Sequence, residues 1–408
     1  MDSVYERIAA FNKDRLPEMV KIKFEGMAEN VYRFFRGTCH LFYEDFCKAE
    51  HIPVSPLTWI CGDLHLENYG SYKGDNRLAY FDLNDFDEAV LAPCLWEVAR
   101  MVTSIFVAFD ELKVKPGEAL EMAKLFLNKY ALRLATGKAI SIDPRTADGI
   151  VCTFLTRADE RRQKELLDKL TVEKKHKLAL LTDERHFTID KKLKKELIQF
   201  VDNWVQKSTV ASYGFKSIDC VFRIAGTGSI GVRRYMFLLK SSKKKNKYLL
   251  LDMKQAVESS VKPYLDIKQP EWQNEATRVI QVKQRMQNVS PALLGVTVFK
   301  NDSYILQELQ PVEDRINFEL IKDRYDDVSL VIEDMALLAA SSQLRSSGRQ
   351  GSDIADKLIE FGQNDKWHEA VLAYAKQYAG QVKKDYNEYL LQYETEKGRE
   401  QKANKKST

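Results

Sequence analysis

VFRIAGTGSIGVRRYMFLL, residues Val221–Leu239, places Gly226, Gly228 and Gly231 in the spacing Gly-x-Gly-x-x-Gly between two apolar runs. A turn of this kind meets phosphates in two unrelated ways. It opens a helix whose N-terminal amides hold a pyrophosphate, or it joins two antiparallel strands and folds over a triphosphate. The residues after Gly231 decide between them. VRRYMFLL is strand-like, KSSKKKNK (Lys240–Lys247) reads as a hairpin tip, and YLLLDMKQA (Tyr248–Ala256) as a further strand. That order leaves no room for a helix of ten residues between Gly231 and Ser241. The antiparallel arrangement is therefore expected. The helix arrangement, which would make the chain a dinucleotide-binding oxidoreductase, keeps one argument: Asp252 stands about where a ribose-binding acid would fall.

In the antiparallel, kinase-like arrangement, Gly226, Thr227, Gly228, Ser229 and Gly231 cover the phosphates of ATP. Lys254 ends the third strand behind YLLL, and a lysine with a buried stem needs partner charges. The phosphates are one partner, and Glu275 on the next helix (PEWQNEATRVIQVKQRMQ) is expected to be the other, with Glu271 as its rival. YILQELQP reads as a strand ending at Pro311, so the backbone of Glu308, Leu309 and Gln310 is expected to hydrogen-bond adenine. Arg233 or Arg234 could meet phosphate, although a solvated arginine is the simpler expectation.

Upstream, WICGDLHLENYG (Trp59–Gly70) crowds Asp63, His65, Glu67 and Asn68 behind an apolar run. Phosphoryl transfer asks for a carboxylate beside the acceptor hydroxyl and for oxygen ligands to a divalent cation. Asp63 followed five residues later by Asn68 matches that need, with Asp63 orienting the hydroxyl and Asn68 ligating metal. RLAYFDLNDFDEA then supplies Asp82, Asp85 and Asp87 at a strand exit. Asp85 is the preferred ligand and Asp82 and Asp87 are its helpers, and such hard oxygen donors suit Mg²⁺ or Mn²⁺ rather than zinc. Each acid alone is explained by a capped turn, and His65 and Glu67 by an exposed loop. The co-occurrence of all these features is what the capped-turn explanation leaves over.

Composition bounds the alternatives. The 408 residues are 44% hydrophobic and 30% charged, with net charge +4. This is an ordinary globular composition with no global bias toward nucleic acid or a membrane surface. Cys39, Cys47, Cys61, Cys94, Cys152 and Cys220 are scattered without a Cys-x-x-Cys pair, as expected of free thiols in a reducing cytoplasm. The N-terminal MDSVYERIAAFNK lacks the apolar core of a signal peptide, and no run approaches the roughly 20 apolar residues that span a bilayer. The chain reads as an α+β protein. Helical residues 1–214 carry the loops at 58–90, 215–311 form a β-rich nucleotide lobe, and helices at 312–395 complete the larger lobe. The very charged stretch ADERRQKELLDKLTVEKKHK is expected as a solvated helix, and residues 396–408 as a disordered tail.

GDLHLEN followed by DFDEA resembles the motif pair of the aminoglycoside and choline phosphotransferases in the protein-kinase-like superfamily. The chain as a whole resembles a bacterial domain-of-unknown-function family. Its signatures run from FFRGT (Phe34–Thr38) through GDLHLENYG, DLNDFDEA and GTGSIGVRR to YAGQVKKDY (Tyr378–Tyr386). The resemblance implies a circularly permuted kinase-like fold, because Asp63, Asn68 and Asp85 precede the glycine turn, Lys254 and hinge that normally come first. It implies ATP and Mg²⁺ as cofactors and a hydroxyl-bearing acceptor. Glu67 and Glu88 could greet a cationic acceptor. A nucleotide-binding pseudoenzyme and transfer of AMP from an inverted ATP remain alternatives. Two positions depart from the pattern: Cys61 stands where many phosphotransferases carry His, and Gln343 in SQLR stands in a His place, with Arg345 kept. The role of Arg36 within FFRGT is left open by the sequence.

Overall fold

The structure is a computed structural model and describes residues 2–161, 163–174, 176–310 and 315–406. It is α+β, with one six-stranded sheet among shorter ladders and many helices. The sheet is antiparallel throughout, in the spatial order Gly295–Phe299, Asp302–Glu308, Tyr248–Gln255, Arg234–Ser241, Phe215–Arg223, His186–Phe187. The glycine turn joins Phe215–Arg223 directly to Arg234–Ser241, and no helix follows Gly231. The dinucleotide arrangement is thereby overturned.

Alternation along the strands assigns the two faces of the sheet. Phe222, Tyr235, Phe237, Leu251 and Met253 point to one face, where they pack beneath helix Lys191–Val205 through its Leu197, Val201 and Val205. Val221, Met236, Leu238 and Leu250 point to the other, against Leu167 and Leu180. Continuing along this second face, the side chains turn from apolar to charged: Arg223, Arg234, Asp252 and Lys254. That change marks where packed protein ends and the cleft begins.

The remaining helices form the larger body. Helix Trp367–Lys406 lies along Cys94–Glu111 and closes onto the N-terminal helices, with Tyr389 donating to the Phe24 carbonyl and Tyr386 to that of Ala28. Both ends of the chain thus complete one core. The fold corrects three expectations. The charged stretch after Ala158 is not all helix, since Thr171–Lys174 and Lys177–Leu180 pair as a hairpin. Helix Lys191–Val205 belongs with the sheet, so the smaller lobe starts before residue 215. The tail is helical as far as Lys406, while 407–408 lie outside the described residues.

Candidate active site

Strand Leu57–Ile60 pairs with Val90–Pro93, and between them the chain makes a second hairpin, Tyr69–Lys73 with Ala79–Leu83. This nesting brings the 61–68 loop and the 84–89 turn side by side at one end of the hairpin. Gly62 makes the approach possible. Its φ is +85°, and a Cβ there would lie 2.1 Å from the Glu88 carbonyl oxygen, so only glycine fits. Asn68 staples the two loops, donating to the Asp63 and Asp85 carbonyls at 3.0 and 3.1 Å and accepting from the Asp85 amide at 2.7 Å.

Asp63 is fixed from below by Arg100, which is fully buried and donates to Oδ1 at 2.8 Å through Nε and 2.5 Å through Nη2. Oδ2 is left facing the glycine turn, 3.8 Å from where a Cβ on Gly228 would be. His65 is buried, not exposed, and burial beside Arg36 and Arg100 keeps its ring neutral, with its pKa well below the usual value. Its Nδ1 accepts from the Glu67 amide at 3.1 Å.

Across the cleft, Lys254 reaches Asp85 at 3.2 and 3.3 Å and also pairs with Asp87. Burial opposes ionisation at both carboxyls. The Lys254 charge nevertheless holds Asp85 well below the usual range, while burial and the Asp85 charge push Asp87 up to about 6. Two carboxylates sharing one ammonium are short of positive charge, and that is the observation by which a divalent cation fits here. Asp85 and Asp87 would hold it, with Asn68 adjacent. Asp82 would not: it is buried away from the cleft, 3.8 Å from Arg345, and burial raises its pKa. Among the described residues no cluster of three or more His, Cys, Asp or Glu side chains has metal-site geometry.

Glu275 does not meet Lys254. It pairs with Arg278 at 2.5 Å, and the buried Arg278 donates to the carbonyls of Ala89, Asp87 and Val257 at 2.6, 2.8 and 2.9 Å. The helix thus grips the acidic turn through an arginine, with Glu275 orienting it. The expected hinge also differs. The Glu308 and Leu309 amides already donate to the Ala292 and Leu250 carbonyls, at 2.8 and 2.9 Å, and the Glu308 side chain pairs with Arg77. Of the three hinge residues Gln310 lines the cleft, together with Gln307; Pro311 lies outside the described residues.

The glycine turn covers the cleft, a cavity of about 180 Å³. The Gly228 carbonyl accepts from Arg15 at 2.5 Å and from buried Lys23 at 3.0 Å. Glu67 is taken by Arg36 at 2.5 Å and Arg315 at 3.4 Å, and Glu88 accepts from the Ser260 amide. Glu67 is thus paired within the protein, while Glu88 keeps its charge at the cleft wall. Arg233 is half-exposed against Asp302, as a solvated arginine would be, but Arg234 is buried in the cleft wall.

A family model for an uncharacterized protein conserved in bacteria (DUF2252) matches residues 15–392. The chain belongs to this bacterial family. The DUF2252 span opens at Arg15, the residue that grips the glycine turn, and encloses the 61–68 loop, the acidic turn, the glycine turn and Lys254. No curated protein and no solved structure is significantly similar to the chain.

Sequence reasoning passed over Arg100 and Glu97, and a signal was available. They are the charges in the apolar helix LWEVARMVTSIFVAF, three residues apart, and a charge buried there must be paired. Glu97 accepts from the Cys61 amide at 2.6 Å, the Gly62 amide at 3.3 Å and Gln343 Nε2 at 3.1 Å, while Tyr130 donates to Gln343. Gln343 thus holds the carboxylate that holds the loop, which accounts for glutamine in that place. Glu97→Ala should cost about 3 kcal/mol, the scale of losing charge-assisted hydrogen bonds to buried donors. Urea unfolding at an unchanged midpoint would contradict this.

Proposed function

We propose that the protein is an ATP- and Mg²⁺-dependent transferase of circularly permuted kinase-like fold. In this reading it moves a phosphorus-containing group of the nucleotide, the γ-phosphoryl in the ordinary orientation, to a hydroxyl of a small-molecule or protein acceptor. The observation that carries this is the convergence of Asp63, Asp85, Asp87 and Lys254 beneath a glycine turn that links antiparallel strands. The element order supports it: glycine turn, strand ending in lysine, helix, then two strands leading back to the larger body. A bound divalent cation would neutralise phosphate charge. The chain's own part is to position. Arg100 aims Asp63 so that Oδ2 orients the acceptor hydroxyl, Lys254 draws phosphate to the acidic turn, and the glycine turn closes over both.

ATP consumption should be screened with Mg²⁺ against a panel of metabolites and aminoglycosides, using Asp85→Asn as the control. The wild type should turn over ATP with at least one acceptor and Asp85→Asn with none. Equal turnover by both proteins would count against the reading. Binding of ATP without turnover on any acceptor would favour a nucleotide-binding regulatory protein. Transfer of AMP is a second reading of the same cleft, favoured by the charged side chains that roof it.

A further inference from the structure

The face of the sheet that roofs the cleft is charged where a base would need apolar cover. Arg234 lies directly opposite Lys254 across paired strands, and Arg223 is the next residue in the same row on the neighbouring strand. Asp252 sits two residues above Lys254 on the same face. It accepts from Arg223 Nη1 at 3.0 Å, from Arg234 Nε at 2.8 Å and from Arg234 Nη2 at 2.7 Å. One carboxylate therefore serves two buried guanidiniums, which have more N–H donors than it can accept from, and both arginines line the cavity. A purine stacks on apolar or aromatic faces and reads a hinge through free amides. Here the roof on the side of the glycine turn is Arg–Asp–Arg, apolar cover being confined to its other side, where Ile305 stands opposite Lys254, and the hinge amides of Glu308 and Leu309 are already bonded within the protein.

Resting on the nucleotide reading, we propose that ATP lies inverted in this cleft. Its terminal phosphates sit against Arg223, Arg234 and Lys254, and its α-phosphorus faces Asp63. Buried guanidiniums present planar forks that match phosphate oxygens, and two of them sharing one carboxylate leave room for a further anion. The same row would be a costly roof for adenine, because covering it with an uncharged base leaves donors unsatisfied.

The orientation fixes the chemistry. The acceptor oxygen bonds to the α-phosphorus, and the bond from that phosphorus to the α–β bridging oxygen breaks. Pyrophosphate leaves with the electron pair, and the hydroxyl proton passes to Asp63 Oδ2 and on to water. The product is an adenylylated acceptor.

Calorimetry on the full-length protein with Mg²⁺ separates the possibilities, using ATP, AMP and inorganic tripolyphosphate as probes. Tripolyphosphate should bind by itself and compete with ATP. Arg234→Leu should weaken ATP and tripolyphosphate alike by about tenfold or more while leaving AMP unchanged, the scale of one lost charge-assisted contact. Arg234→Lys, which keeps the charge and pairs with Asp252, should retain part of the affinity and covers the case in which the leucine variant fails to fold. Nucleotide products after prolonged incubation should be AMP and pyrophosphate. ATP affinity that survives or rises in Arg234→Leu, or ADP as the product, overturns the inversion alone. A wild type that binds none of the three probes overturns the nucleotide reading and the inversion together.

Discussion

Asp63→Asn should lower turnover by about 10²-fold or more, the scale of losing a positioned general base, while Mg²⁺-dependent nucleotide binding stays near that of the wild type. Its Oδ2 faces the glycine turn and has no part in the Lys254 cluster, so the nucleotide loses no direct partner. A second effect comes from below. Arg100 is fully buried and relies on Asp63 Oδ1 for its counter-charge. Burial opposes the guanidinium charge, and the carboxylate outweighs it, holding the pKa above the ordinary arginine value. With asparagine, the guanidinium keeps a hydrogen-bond acceptor but loses the charge. The variant should therefore unfold about 2–3 kcal/mol more easily, somewhat less than for outright removal of a buried partner. Asp63→Asn with full turnover on any acceptor would remove Asp63 from the chemistry.

Lys254→Met should fail in a different way. Asp85 and Asp87 would face each other without their shared ammonium, beside Asp252 and its arginines. In metal-free buffer the loss should be about 2 kcal/mol, below the roughly 3–5 kcal/mol of a fully buried pair because Asp85 is half open to the cleft. Millimolar Mg²⁺ should restore part of that stability, since a cation bound only by the folded protein shifts the equilibrium toward it. Nucleotide affinity and turnover should both collapse, because the phosphates lose their fixed cation. Denaturant titration with and without Mg²⁺ checks the stability effect, and a Mg²⁺-independent midpoint would mean that the acidic turn holds no cation.

How much of this was visible in the chain depends on which interactions are local. The antiparallel glycine turn was legible because VRRYMFLL and YLLLDMKQA are strand-like apolar runs and a lysine-rich tip separates them. The nesting of Asp63, Asn68 and Asp85 was legible because a short hairpin between two acidic loops must bring them together. Partner choice was not. Glu275 stands at the start of the right helix, but Arg278, one turn later on the same face, captures it before Lys254 can. The hinge failed for a related reason, since only the fold reveals that Ala292 and Leu250 already consume the amides. Arg234 was misjudged because Arg233 and Arg234 look alike in sequence, while strand alternation sends one to solvent and the other into the cleft. Helix Lys191–Val205 carried its own signal, Leu197, Val201 and Val205 four residues apart, masked by surrounding lysines. The C-terminal residues read as a tail because EKGREQKANKK has no apolar stripe. Their helix continues from a buried one and is supported by pairs such as Arg399–Glu396.

The central claim is that Asp85 and Lys254 form a nucleotide site on which Asp63 acts from outside. Calorimetric titration of ATP, with and without Mg²⁺, into the wild type, Asp63→Asn, Asp85→Asn and Lys254→Met tests it most directly. The account predicts Mg²⁺-dependent binding to the wild type and Asp63→Asn at similar affinity, and little or none to Asp85→Asn and Lys254→Met. Equal binding by all four proteins, or binding by none, would contradict it.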